Sequence, residues 1–202
     1  KATLSDDAPN HFLINIQPDD RDSVAAILRD AGVEDPDFVP LVRARLTAIN
    51  GTPIGEITFE DERGRGMSER EQNLSFTAEL AASNRVVSGN WWPPRYDGAP
   101  LVSMEADAAE ELGVGLGDEL SYLVAGEPLL AQVASIRKVQ WDSFEPNFFM
   151  VLSPGALDEY PATFIASMRV AEEDKGSLVD LVRAHPTISV IDLDSILQQV
   201  RG

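Results

Sequence analysis

The stretch HFLINIQPDDRDSVAAILRDAG, His11 to Gly32, decides the fold. It opens on an alternation. Phe12, Ile14 and Ile16 fall on one face, as a half-buried strand requires. Pro18-Asp19-Asp20 then offers a helix start. Val24, Ile27, Leu28 and Ala31 recur at helical spacing, and Gly32 is placed to stop the helix. Leu41 to Ile49 alternates again, with Val42, Ala44, Leu46 and Ala48 on one face, and ends on the turn signal Asn50-Gly51. Together these segments predict a β-α-β unit.

The C-terminal end repeats the plan. Thr163 to Val170 sets Phe164, Ala166, Met168 and Val170 on one face of a strand. Leu178, Leu181 and Val182 form a helical stripe that stops near Pro186. Ile188 to Leu193 reads as another strand, and Asp192 or Asp194 can cap a last helix carrying Ile196, Leu197 and Val200. Two such units predict an α+β fold, a split β-α-β (ferredoxin-like) sandwich. Residues 1–50 carry the first unit, 51–150 an inserted, mainly-β lobe, and 151–202 the second unit. In that topology both chain ends leave one edge of the sheet and the insertion leaves the other.

The middle is richer in Gly, Pro and short alternating runs. Gly55 to Gln72, charged and carrying Gly64 and Gly66, reads as a mobile loop. Ser103 to Leu112 reads as a short helix with Gly113 just past it. Glu119–Val124 and Leu129–Val139 read as a hairpin around Ala125-Gly126-Glu127, and Ser153-Pro154 opens a short helix.

Charge excludes some partners. Sixteen Lys and Arg face 34 Asp and Glu, a formal net charge of −18. Such a field repels phosphate backbones and anionic headgroups, so neither nucleic acid nor a basic membrane-binding patch is expected. There is no cysteine, hence no disulfide, thiolate metal site or Cys nucleophile. No apolar run approaches the roughly 18 residues of a membrane-crossing helix. The start at Lys1-Ala2-Thr3, without an initiator Met, is expected of an excised piece.

Catalytic chemistry finds little support. His11 and His185 are the two histidines, and neither sits in a metal-ligand pattern. No G-x-S-x-G nucleophile turn is present. A Ser-His-Asp set could be assembled from distant residues, as in almost any sequence. The carboxylate runs Asp19-Asp20, Glu60-Asp61-Glu62, Glu110-Glu111 and Glu172-Glu173-Asp174 read as solvated surface. Gly113-Val114-Gly115-Leu116-Gly117 follows a helix, whereas a phosphate cradle precedes one. The expectation is no catalytic, cofactor or metal site. The aromatic residues Trp91, Trp92, Trp141, Phe148 and Phe149 are the candidates for a partner- or lipid-facing surface, since adjacent Trp91 and Trp92 face opposite ways if extended.

Several ordered segments carry a resemblance. They include Arg45-Leu-Thr-Ala-Ile-Asn-Gly-Thr-Pro-Ile54, Val86-Val-Ser-Gly-Asn-Trp-Trp92, Ser135-Ile-Arg-Lys-Val-Gln-Trp-Asp-Ser-Phe144 and Pro186-Thr-Ile-Ser-Val-Ile-Asp192. With Asn73-Leu-Ser-Phe76, Leu116-Gly-Asp118, Asn147-Phe-Phe149 and Pro154-Gly-Ala-Leu-Asp158 they are similar to the large extracytoplasmic domain of YbbP-like permeases, of the MacB/FtsX-like (type VII, mechanotransmission) class of ABC transporters. The resemblance implies a porter-like lobe of β-α-β units and an inserted sabre-like lobe. It implies a separate cytoplasmic ATPase coupled through transmembrane helices, a second permease copy, and a place on the periplasmic face of the bacterial inner membrane. It further implies extraction of hydrophobic molecules toward a periplasmic esterase. It assigns no catalytic residue to this domain. The alternatives are a free-standing periplasmic adaptor or ligand-binding module and, third, a hydrolase.

Overall fold

The computed structural model describes residues 8–33 and 36–201. The chain is a mixed α+β protein dominated by strands, and it divides into two compact units. The first comprises residues 1–40, 141–146 and 162–202. The second comprises 41–140 and 147–161.

The first unit is built from β1 (His11–Ile16), α1 (Arg21–Asp30) and the start of β2 (Phe38–Ile49), then β10 (Thr163–Met168), α4 (Gly176–Ala184), β11 (Ser189–Asp192) and α5 (Leu193–Arg201). The strands lie in the order β11-β1-β10-β2, and β1 pairs antiparallel with both β10 and β11. Both helices bury their apolar stripes. Val24 and Leu28 of α1 and Leu178 and Leu181 of α4 join Leu13, Ile16, Ala166, Met168 and Val170 in one core. Arg21 lies over the rings of Phe164 and Phe38, 4.3 and 5.1 Å from their centroids.

The expected face of β1 is corrected. Leu13 and Ile16 are fully buried, whereas Phe12 and Ile14 are partly exposed. The cause is local. Asn15 takes a positive φ of 62°, and the register with β10 shifts between Leu13 and Ile16. Asn tolerates this conformation, and the extra residue re-aims the strand. Asp192 accepts from the Ser195 N–H at 3.2 Å, which gives α5 its cap. Ile196 is exposed, while the Leu197 and Val200 side chains lie outside the described residues.

In the second unit come the rest of β2, then β3 (Thr52–Pro53), α2 (Glu62–Glu69), β4 (Gln72–Phe76), β5 (Asn84–Gly89), β6 (Leu101–Glu105), α3 (Ala106–Leu112), β7 (Glu119–Val124), β8 (Glu127–Val139) and β9 (Met150–Leu152). Pairings run β2-β4-β9-β6-β8-β7 and back to β2, a closed ring with β5 added to β8. A closed ring of strands leaves no open sheet edge among its members. Residues alternate inward along it, as Val42, Ala44 and Leu46 do on β2 and Leu129, Ala131 and Val133 on β8. On β2 the alternation slips at a register shift between Leu46 and Ala48, so Ile49 rather than Ala48 is buried. Ala125 and Gly126 both take positive φ, the geometry of the two-residue hairpin turn expected there.

Three other expectations differ from the fold. Gly55–Gln72 is not a bare loop but holds α2, capped by Asp61, whose carboxylate accepts from Arg63 N and Gly64 N at 2.8 and 3.3 Å. Ser103-Met104-Glu105 belong to β6, and Glu105, at the strand's end, caps α3 through both carboxylate oxygens. Ser153 caps no helix. It is buried and exchanges hydrogen bonds with the Leu101 backbone, and turns follow it.

Candidate functional site

The first strand and the last strand of the described chain lie side by side in the first unit. His11, the first residue of β1, pairs with Asp192, the last of β11, and the Leu193 N–H donates to the Asn10 carbonyl at 2.9 Å. Asn10 is buried and clamps Val170, donating to its carbonyl at 3.0 Å and accepting from its N–H at 2.8 Å. Asn10 Oδ1 also lies 2.7 Å from His11 Nδ1, so that nitrogen carries the ring proton. His11 Nε2 lies 3.6 Å from Asp192 Oδ2, and Lys175 Nζ is 3.6 Å from the same oxygen. Burial pushes the His11 pKa down, and the Asp192 charge opposes that without cancelling it. For Asp192 burial acts upward, but the Ser195 N–H, His11 and Lys175 outweigh it and hold the carboxyl below its usual range.

Burial sorts the aromatic candidates. Trp92 and Phe148 are buried, Trp91 is partly buried, and Trp141 and Phe149 are 48% and 38% exposed. Trp91 and Trp92 do not face opposite ways. Their rings stack with centroids 4.1 Å apart, and their indole N–H groups donate to the consecutive carbonyls of Ala78 and Thr77, each at 2.9 Å. The segment is not a strand, so the alternation rule does not govern it. Trp141 belongs to the first unit and the other four aromatics to the second.

Phe148 is held by a residue whose role is invisible in the sequence. Arg137 is 1% exposed. Its guanidinium donates to the Phe148 carbonyl at 2.5 Å, to Asn84 Oδ1 at 2.8 Å and, more weakly, to the Ser103 carbonyl at 3.5 Å. Asn84 in turn donates to Asn147 at 2.7 Å. Burial lowers the Arg137 pKa to about 10, with Glu105 acting against the shift, so the group stays cationic at neutral pH. Its alternating position on β8 marks it as inward, but nothing in the sequence tells a buried Arg from a solvated one.

The structure also brings together a Ser-His-Asp set. Ser23 Oγ is 2.8 Å from His185 Nε2, and His185 Nδ1 is 3.4 Å from Asp20 Oδ1. Ser23 and His185 are separated by 162 residues, so spacing could not have found the contact. Asp20 precedes the first turn of α1, where a carboxylate suits the helix end, and His185 follows the last turn of α4. Among the described residues there is no group of three or more His, Asp or Glu side chains that could hold a metal ion. No described helix is long and apolar enough to cross a membrane.

No protein-family model matches the chain. The chain is similar to the uncharacterized ABC transporter permease YbbP of Escherichia coli (strain K12), with 40% identity over 197 residues. The match covers 98% of this chain and 23% of that protein, so the chain spans about a quarter of its relative. Over nearly its whole length, therefore, the chain is YbbP-like, similar to one segment of that permease.

Proposed function

We propose that this chain is the extracytoplasmic domain of an ABC transporter permease, on the periplasmic face of the bacterial inner membrane. Flanking transmembrane helices couple it to a cytoplasmic ATPase, and the domain carries ATP-driven motion outward. In this reading the first unit is the porter-like, split β-α-β lobe, and the second is the sabre-like lobe. Support for the first assignment is its strand order, β11-β1-β10-β2, with two helices packed in one core. The permease works as a pair, and its cargo is a hydrophobic, lipid-like molecule passed to a periplasmic esterase. Trp141 and Phe149 are the aromatic residues with enough exposed surface to meet cargo or partner.

The observation that carries the mechanical reading is the joint at His11 and Asp192. A flanking helix on the N-terminal side would enter a few residues ahead of His11, and one on the C-terminal side would follow α5, which continues directly from the strand paired with it. A displacement of either flank is then delivered to the same rigid sheet.

A hydrolytic reading would rest on Ser23, His185 and Asp20. Asp19 and Asp22 lie in the same turn, and their charge opposes an oxyanion forming on a Ser23 adduct. We read the contact as a clamp between α1 and α4. The sidedness is tested by protease access to the full-length permease, with a cleavage site placed in the exposed 60–62 segment. Cleavage in spheroplasts is expected. Cleavage only in inside-out vesicles would place the domain on the wrong side.

A further inference from the structure

The second unit carries an open groove unrelated to the joint or the aromatic candidates. Two clefts of about 300 and 420 Å³ share Pro100, Gly155 and Ala156, and so run into one another. One is lined by Tyr96 of the β5–β6 connection, the other by Tyr160 and by Leu130 of β8. Both tyrosine hydroxyls are already used. Tyr96 donates to the Ala99 carbonyl at 2.6 Å and Tyr160 to the Pro128 carbonyl at 2.7 Å. Ring faces, prolines and Leu130, which is 49% exposed, are what remain to offer an occupant. Gly98 lies against the Tyr96 ring, and a Cβ there would push the ring aside.

The rim has one sign. Asp97, Asp158 and Glu159 line the clefts, and no Lys or Arg does. All three acids are exposed, and none has an ion-pair or hydrogen-bond partner for its carboxylate among the described residues. Elsewhere carboxylates of this chain find partners, as Asp61 does in Arg63 and Glu172 in Lys175. Aromatic faces flanked by unpaired carboxylates attract guanidinium and ammonium groups.

We propose that this groove binds an extended segment of a partner protein that alternates apolar or proline residues with Arg or Lys. An extended chain sends successive side chains to opposite sides, which suits a floor of Tyr, Pro and Leu beside an acidic rim. A lone small cation would leave most of the joined clefts unfilled. The proposal does not depend on the permease reading, since a free adaptor would use the groove in the same way.

The test is fluorescence polarisation on the 202-residue chain with a labelled Arg-Pro-Leu repeat peptide. A Glu-Pro-Leu repeat serves as the control. Saturable binding of the Arg peptide is expected, and none of the Glu peptide. Asp158→Lys with Glu159→Lys weakens it about tenfold or more, as loss of close charge partners does. Asp22→Lys with Asp30→Lys, the same change of charge in the first unit, leaves it unaltered. Tyr160→Ala weakens binding, and Tyr160→Phe, which keeps the ring, retains it. Circular dichroism checks that each variant is folded. No saturable binding, or equal loss in both double variants, would overturn the proposal. Displacement by phosphocholine, or loss of a self-associated dimer in the Asp158/Glu159 variant, would reassign the groove to a headgroup or a second copy and overturn it too.

Discussion

His11 is buried beside a carboxylate that it does not fully use, and this makes it a pH-sensitive part of the joint. Its folded pKa lies below the unfolded value of about 6.5. Above that value both states are neutral. As pH falls through it, the unfolded chain takes up a proton that the folded chain resists, so the His11 contribution is lost down to the folded pKa. Thermal melts from about pH 7 to about pH 5 should show a fall that is smaller in His11→Asn. Identical pH profiles would mean that the imidazole is not held neutral. Arg137 allows a second prediction at this scale. Arg137→Ala strands the Phe148 carbonyl and Asn84 Oδ1, each orphaned acceptor costing about 1–3 kcal/mol. A urea midpoint shift of that combined size is expected, and an unshifted midpoint would count against the network. At Ser23, a fluorophosphonate probe should leave the residue unlabelled; labelling abolished by His185→Gln would revive the hydrolytic reading.

Among the elements, the ends of α1 and α3 were legible because helix stops are local. Gly32 and Gly113 sit just past α1 and α3 with positive φ, where the rules for helix ends put them. The bulges were not legible. At Asn15 and between Leu46 and Ala48 one added residue reverses the face, and the alternation in the sequence gives no sign of it. Helix α2 was missed for another reason. Its interior holds Gly64 and Gly66, poor helix formers, and its stability comes from the Asp61 cap and from packing on α3. Gly64 approaches α3 so closely that a Cβ would meet the Glu111 carbonyl and the Phe59 side chain. Gly64→Ala should therefore destabilise the chain by about 1–3 kcal/mol, despite the better helix propensity of Ala. For a chain of this length that lowers Tm by roughly 2–12 °C, readable by circular dichroism. A raised Tm would show that α3 yields to the methyl group.

For the whole molecule, the strand and helix segments at the two ends of the sequence were readable because each is built from local periodicity. The closed strand ring of the second unit was not. It depends on the parallel pairs β4–β9 and β6–β8, whose partners lie about 30 residues or more apart with no short turn to announce them. The groove depends on the same long-range assembly, as does the meeting of Ser23 with His185. The net charge of −18 adds a global term. Self-repulsion of that size should be screened by salt, so Tm rises with added sodium chloride over the range in which the Debye length shortens from about 30 to about 10 Å.

The central claim is that the pairing of the first and last strands at His11 and Asp192 lets this domain transmit motion. The direct measurement is ATP-dependent release of a fluorescent lipid from vesicles holding the full-length transporter, with a flexible Gly/Ser linker inserted ahead of Ala8. The account predicts that ATP hydrolysis continues and lipid release falls to the level without ATP, because the linker absorbs the displacement. Undiminished release through the linker would contradict it, leaving the domain as a tethered binding module.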